Sequence, residues 1–173
     1  MSDVTLRQAA KRLLEHCRAQ GLRIATAESC TGGLVAGILT EIAGSSDVVE
    51  CGFVVYSNVA KEAMLGVSAS TLKRHGAVSA ETAVAMATGA LKNSRADLSV
   101  AITGIAGPGG GSRQKPVGLV HFAAASRDGR HIARRKLFGK IGRSRVRQRS
   151  VAESLALLEM LCSGRAKAGG KSR

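Results

Sequence analysis

Without a metal, the residues of this sequence that could carry chemistry are hydroxyl and thiol side chains in glycine-flanked turns, and a lysine placed to act as a base. Ala27-Glu28-Ser29-Cys30-Thr31-Gly32-Gly33 lies between a short apolar run and a helical one. Ligands of open α/β sheets collect at such strand-to-helix turns, where glycine admits them to the backbone. Ser29, Thr31 and Gly32 are therefore candidate substrate contacts, although a turn in which Ser29 or Thr31 merely caps the helix uses the same residues. Cys30 at a helix start could carry an activated thiol, but a buried small residue is the commoner role of cysteine. A second glycine-rich loop, 104–112, also follows an apolar run and brings in Thr103, Gly104 and Gly107. It lacks the Gly-x-x-x-x-Gly-Lys-Ser/Thr pattern of a P-loop. A third group is Gly44-Ser45-Ser46, then Tyr56-Ser57-Asn58 and Lys61. A serine nucleophile needs a base. The four histidines lie outside these loops, whereas a lysine can serve if its pKa is depressed. With Asn58 as cap, Lys61 falls in a first helical turn, where the helix dipole favours the neutral amine. A solvated lysine and plain turn serines are the competing reading.

These residues need a frame. Residues 4–20 have helical apolar spacing, ended by Gly21, and a strand follows over Leu22–Ala27. A helix is expected over 34–42, a buried strand over 48–56, and helices over 58–65, 69–75 and 79–93. A strand over 97–103 leads into the second glycine-rich loop. Residues 117–126 and 131–138 form a hairpin about Asp128-Gly129, and a closing helix spans 144–162. Strands alternating with helices, then a hairpin, predict a three-layer α/β/α sandwich with a mixed sheet, one domain over 1–162 and a basic, disordered tail over 163–173.

Of the 173 residues, 45% are apolar, enough for a real core. Aromatics make up 2%, with no Trp, which leaves few platforms for stacking single-stranded bases. The charge is lopsided: residues 1–100 hold 10 Lys/Arg against 9 Asp/Glu, and residues 101–173 hold 16 against 3. Such a field attracts phosphorylated small molecules, nucleic acid or acidic surfaces. Ten of the basic residues fall within 127–149, against one acid, Asp128. Most read as a solvated face, with one or two available to a phosphate. Cys17, Cys30, Cys51 and Cys162 have no zinc-like spacing and read as reduced thiols of a cytoplasmic protein. No signal peptide or membrane-length apolar run is evident.

The segments 26–33, 42–46, 56–61, 75–79, 102–112 and 115–120, read in order as TAESCTGG, IAGSS, YSNxxK, HGAVS, ITGIAGPGGGS and KPVGLV, closely resemble the CinA C-terminal domain family. That family includes stand-alone nicotinamide-nucleotide amidohydrolases. The resemblance covers roughly residues 5–162. It implies hydrolysis of nicotinamide mononucleotide to nicotinic acid mononucleotide and ammonia by a serine/lysine mechanism, with no metal and no cofactor. It matches Ser46 to the nucleophile, Lys61 to the base and Tyr56 to an assisting hydroxyl. Ser29, Thr103 and an arginine near Arg143 match pocket positions. The segment 138–143 departs from the family's Phe-x-Gly-Asp-Arg pattern by one extra residue and a missing acid, so Arg145 or Arg147 could stand in for Arg143. Cys51 stands where the family commonly has a polar or basic residue. The partner expected is a small nucleotide, with a homo-oligomer, no membrane and at most weak nucleic-acid binding. A nucleic-acid-binding accessory protein and a silent nucleotide-binding subunit are the alternatives; ammonia release separates both from the enzyme.

Overall fold

Three serines punctuate the middle of the chain. Ser57, Ser68 and Ser79 each accept a hydrogen bond from the backbone N–H three residues on, at 3.0, 3.0 and 3.1 Å. Each therefore satisfies one of the donors that a helix start leaves unpaired. Gly66 and Gly76, with φ of 65° and 76°, end the first two of these helices. The resulting α3 (Asn58–Leu65), α4 (Ala69–His75) and α5 (Ala80–Lys92) fall where the sequence places them. The cap of α3 is Ser57, not Asn58.

The structure is a computed structural model and describes residues 3–168. Around those three helices stand α1 (Asp3–Ala19), β1 (Ile24–Glu28), α2 (Leu34–Thr40), a 3-10 turn (Ser45–Asp47), β2 (Val49–Val54), β3 (Leu98–Gly104), β4 (Leu119–Ser126), β5 (His131–Leu137) and α6 (Arg143–Ala168). The five strands form one mixed sheet in the order β2-β1-β3-β4-β5. The first three are parallel, and β4 and β5 pair antiparallel. Helices α1, α2 and α6 cover one face, and α3, α4 and α5 the other, which is the three-layer arrangement expected. Two features depart from expectation by more than a residue or two. The strand after Val48 is an edge strand rather than a buried one, and its Val54 is exposed, because no strand among the described residues pairs beyond it. The closing helix runs to Ala168, so 163–168 are helical rather than tail; residues 169–173 lie outside the described residues.

The two faces differ in kind. Toward α1 and α6 the sheet presents Ile24, Leu98, Val100, Ile102, Val120 and Phe122. Toward α5 it presents Ala25, Ala27, Ala101, Ala123 and Ala125, met by Ala83, Ala87 and Ala90 of the helix. Small residues on both sides bring α5 close to the strands. Gly89 does the same toward α3: a Cβ there would lie 2.0 Å from the Leu65 carbonyl oxygen. Glycine normally costs a helix about 1 kcal/mol relative to alanine, but relief of that cost cannot offset a clash with backbone. Gly89→Ala is expected to destabilise the fold by about 1–3 kcal/mol, the usual scale of overpacking, read as a lowered denaturant midpoint.

Candidate active site

The C-terminal edge of the parallel strands gathers the chemistry. Ser29 directly follows β1, and its N–H donates to the Ile102 carbonyl of β3 at 3.0 Å, which ties it to the sheet. Lys61 lies one turn into α3 and reaches back toward this edge. Its side chain is 1% exposed, an unusual placement for a lysine. Its Nζ donates to Ser29 Oγ at 3.2 Å, to the Val55 carbonyl at 2.9 Å and to the Tyr56 carbonyl at 3.4 Å. None of these partners is a carboxylate. Burial therefore lowers the Lys61 pKa from its ordinary value. The helix dipole is not needed to explain that shift. A neutral amine has two N–H donors and one lone pair. The two carbonyls use the donors and leave the lone pair facing the Ser29 hydroxyl. The pair is thereby arranged to move a proton from oxygen to nitrogen.

Glu28 builds the turn that presents Ser29. Its buried carboxylate accepts from the N–H groups of Gly33, Val35 and Ala36 at 3.0, 3.1 and 2.9 Å, and from the Thr26 hydroxyl at 3.2 Å. These amides are the donors that a helix start would offer to an anion. Glu28 occupies them, so the glycines of this turn do not cradle a phosphate through α2. Sequence reasoning misses this role, because Glu28 stands there only as a neighbour of Ser29. Among the described residues, the N–H groups of Cys30 and Thr31 donate to no other residue's backbone. Burial pushes the Cys30 thiol up to about 12, which leaves it protonated and inert at neutral pH.

Tyr56 stands at the same edge, 63% exposed. Its hydroxyl accepts from Arg143 Nη2 at 3.2 Å, and Arg143 Nη1 donates to the Gly107 carbonyl at 3.1 Å. Arg143 thus joins the second glycine-rich loop to Tyr56. Arg147, one turn further along α6, donates to the Thr31 carbonyl at 2.8 Å, while Arg145 is exposed. Two of the three arginines singled out in the sequence therefore reach the site region, in an i, i+4 pair. Several other basic residues of 127–149 hold the fold together. Arg127 donates to the Leu91, Ser94 and Ala96 carbonyls beyond α5, and Arg134 and Lys136 pair with Glu153.

Thr103 lies beside Ser29, but its hydroxyl donates to the Ala77 carbonyl at 2.6 Å. Thr31 Oγ1 is buried without a partner. Gly32 faces Arg147: a Cβ there would lie 3.5 Å from Nη2. Gly104 is dictated by packing, since a Cβ there would meet the Leu119 carbonyl at 2.8 Å. His121 pairs across the sheet with Thr103 and Arg135. Burial, with Arg135 and Lys115 nearby, lowers its pKa. It stands two strands, about 10 Å, from the position of Ser29, too far to serve it as a base.

Ser46 is not at this site. It is exposed in the 3-10 turn that precedes β2, whereas Lys61 follows β2. β1 and β2 run parallel, with Ile24 opposite Val49 and Glu28 opposite Val54. The two turns therefore sit at opposite ends of the sheet, about 20 Å apart at about 3.3 Å per residue. The Gly44 carbonyl and Asp47 are bound there by Arg18, which fixes that turn as a structural corner.

The buried serine–lysine pair thus stands at the C-terminal edge of a mixed α/β/α sheet, with Arg143 and Arg147 of the last helix bonded to the neighbouring loops. The chain belongs to the CinA C-terminal domain family, whose model matches residues 6–162. It is 51% identical to the nicotinamide-nucleotide amidohydrolase PncC of Escherichia coli (strain K12), over 91% of this chain and 95% of that protein. It is 48% identical to a CinA-like protein of a Synechococcus strain, covering 87% of this chain but 36% of that longer protein. Among solved structures, the competence/damage inducible protein CihA from Agrobacterium tumefaciens superposes with a TM-score of 0.86 at 52% identity, covering 94% of this chain and 96% of the other. No helix among the described residues is long and apolar enough to cross a membrane.

Proposed function

We propose that the chain is a nicotinamide-nucleotide amidohydrolase in which Ser29 is the nucleophile and Lys61 the base. The observation that carries this reading is the 3.2 Å contact between Lys61 Nζ and Ser29 Oγ, in a site where burial disfavours the ammonium form. Neutral Lys61 takes the hydroxyl proton as Ser29 Oγ bonds to the carboxamide carbon. The carbonyl becomes an oxyanion, and the N–H groups of Cys30 and Thr31, close by in the same turn, are the donors in place to receive it. Lysinium returns the proton to the nitrogen, the C–N bond breaks and ammonia leaves. Water then attacks the ester, with Lys61 accepting one of its protons and passing it to Ser29 Oγ as the carboxylic acid departs and ionises in solution. Tyr56 is not in contact with Ser29 or Lys61 through its hydroxyl. Its bond with Arg143 suits it to shape the entrance. Arg143, whose partners there are a carbonyl and a phenol, has no carboxylate to neutralise it among the described residues. We assign Arg143 and the 104–112 loop to the substrate phosphate. From that product chemistry we infer a role in recycling of pyridine nucleotides.

Ammonia release tests the assignment. With excess chelator present, nicotinamide mononucleotide is expected to be hydrolysed at an undiminished rate, and the dephosphorylated riboside at least about tenfold less efficiently, the scale of one lost charged hydrogen bond. A rate lost on chelation and restored by a divalent ion would remove the metal-free mechanism. Equal rates on both substrates would remove the phosphate assignment.

A further inference from the structure

A groove of about 760 Å³ runs between α1, α2 and the start of α6, on the far side of the catalytic turn from Lys61. Neither Ser29 nor Lys61 lines it, and the reaction described above makes no use of it. Its size is that of a small-molecule site. The floor is apolar, built from Leu6, Ile38 and Val151. Val4 and Leu34 flank it with 64% and 38% of their surface exposed, a sizeable apolar area to leave in water. At the start of α2, Gly32, Gly33 and Gly37 leave stretches of bare backbone between the side chains of Leu34 and Ile38. A Cβ at Gly37 would have nothing within 4 Å. Bare backbone between apolar side chains suits a flat ring.

One charge in the groove is uncompensated. Arg7, at the rim, is paired with Glu41 at 2.8 Å. Arg147 has no carboxylate partner among the described residues; its Nη2 donates to the Thr31 carbonyl, and its Nε is buried with no hydrogen bond at all. A guanidinium held against a carbonyl, with other donors unused, in a largely apolar groove, is a seat for an anion.

We propose that this groove binds a small molecule made of a flat apolar body and one anionic group, with the anion on Arg147, and that its occupation alters turnover through the Arg147–Thr31 contact with the catalytic turn. The binding stands on the groove alone. The effect on turnover rests also on the amidohydrolase reading.

The probe is 8-anilinonaphthalene-1-sulfonate, an aromatic body bearing one sulfonate. Its uncharged counterpart is N-phenyl-1-naphthylamine. The wild type is expected to bind the sulfonate saturably at one site per chain. Gly37→Leu, which projects a side chain into open groove space, is expected to weaken binding at least tenfold while hydrolysing nicotinamide mononucleotide at the wild-type rate. Arg147→Gln is expected to weaken the sulfonate about tenfold and to leave the uncharged dye unchanged. Saturating sulfonate is expected to change the wild-type rate of ammonia release at least twofold, and the Gly37→Leu rate not at all. Binding insensitive to both substitutions overturns the site. Competition with nicotinamide mononucleotide makes the groove part of the substrate site and overturns its separateness. A dimer abolished by Gly37→Leu assigns the groove to a second copy and overturns the small-molecule reading. Tight binding with no change in rate overturns the coupling. Should the chain release no ammonia from any nicotinamide nucleotide, the dye measurements still decide whether the groove binds anions.

Discussion

Ser29→Ala is expected to lower ammonia release from nicotinamide mononucleotide by about four orders of magnitude or more, the scale seen when a covalent nucleophile is removed. The loss should fall in kcat, because the hydroxyl acts on the reacting carbon and holds little of the substrate in the ground state. Ser46→Ala, about 20 Å away at the other end of the sheet, should remain within about twofold of wild type. Cys30→Ala should retain most activity, because its thiol is held protonated by burial. The ranking is sharp. Substantial activity in Ser29→Ala combined with a dead Ser46→Ala would mean that Lys61 is not the base for the working nucleophile.

Lys61→Met should be nearly as damaging, by about three to four orders of magnitude, and Lys61→Arg no better, since a guanidinium does not deprotonate. The double variant with Ser29→Ala should lose little more than either single one, because the two groups act as a unit. The pH dependence has a definite sign. Only neutral Lys61 can take the serine proton, and burial lowers its pKa from the ordinary 10.5. kcat/KM should therefore rise with pH through an apparent pKa below 10.5 and then level off. The same shift affects stability. Between the lowered folded pKa and 10.5, the unfolded chain binds more protons than the folded one, so the wild type gains stability as pH rises through that window. Lys61→Met removes the ionisable group. Its stability advantage over wild type should be largest below the folded pKa and vanish above 10.5, which paired thermal melts at several pH values would read. A wild-type rate that climbs only near 10.5, as for a solvated lysine, would dismiss the depressed base.

Much of the frame is legible in the chain. Ser57, Ser68 and Ser79 are caps by type and spacing, and Gly66 and Gly76 are stops, so local rules bound α3, α4 and α5. The hairpin about Asp128-Gly129 is equally local. The working pair is half legible. Lys61 can be singled out, but its burial depends on α3 leaning over the end of β1, which no local rule encodes. The resemblance points to Ser46 as nucleophile and the geometry to Ser29, and the two look alike in sequence, each a serine within three residues of a glycine in a turn. A topological signal does separate them. In a parallel pair, the turn after a strand and the turn before the next strand lie at opposite ends of the sheet, and ligands gather at the former. Ser29 and Lys61 both follow strands, and Ser46 precedes one. Glu28 cannot be read at all, since apart from the Thr26 hydroxyl its partners are backbone amides at the start of the following helix and carry no side-chain signature.

The alanine-lined face under α5 has a consequence for how such a protein can change over many generations. On the α1/α6 side, leucine, isoleucine and valine can trade places with modest cost, because branched side chains of similar volume can repack. Where α5 meets the strands there is little volume to trade. Ala25, Ala27, Ala101, Ala123 and Ala125 and the facing Ala83, Ala87 and Ala90 are already small, and Gly89 cannot grow without displacing α3. Sequence drift is thereby steered toward one half of the molecule. The half that sets the distance between α3 and the sheet, and with it the reach of Lys61, acts as a fixed ruler while the opposite side absorbs the wear.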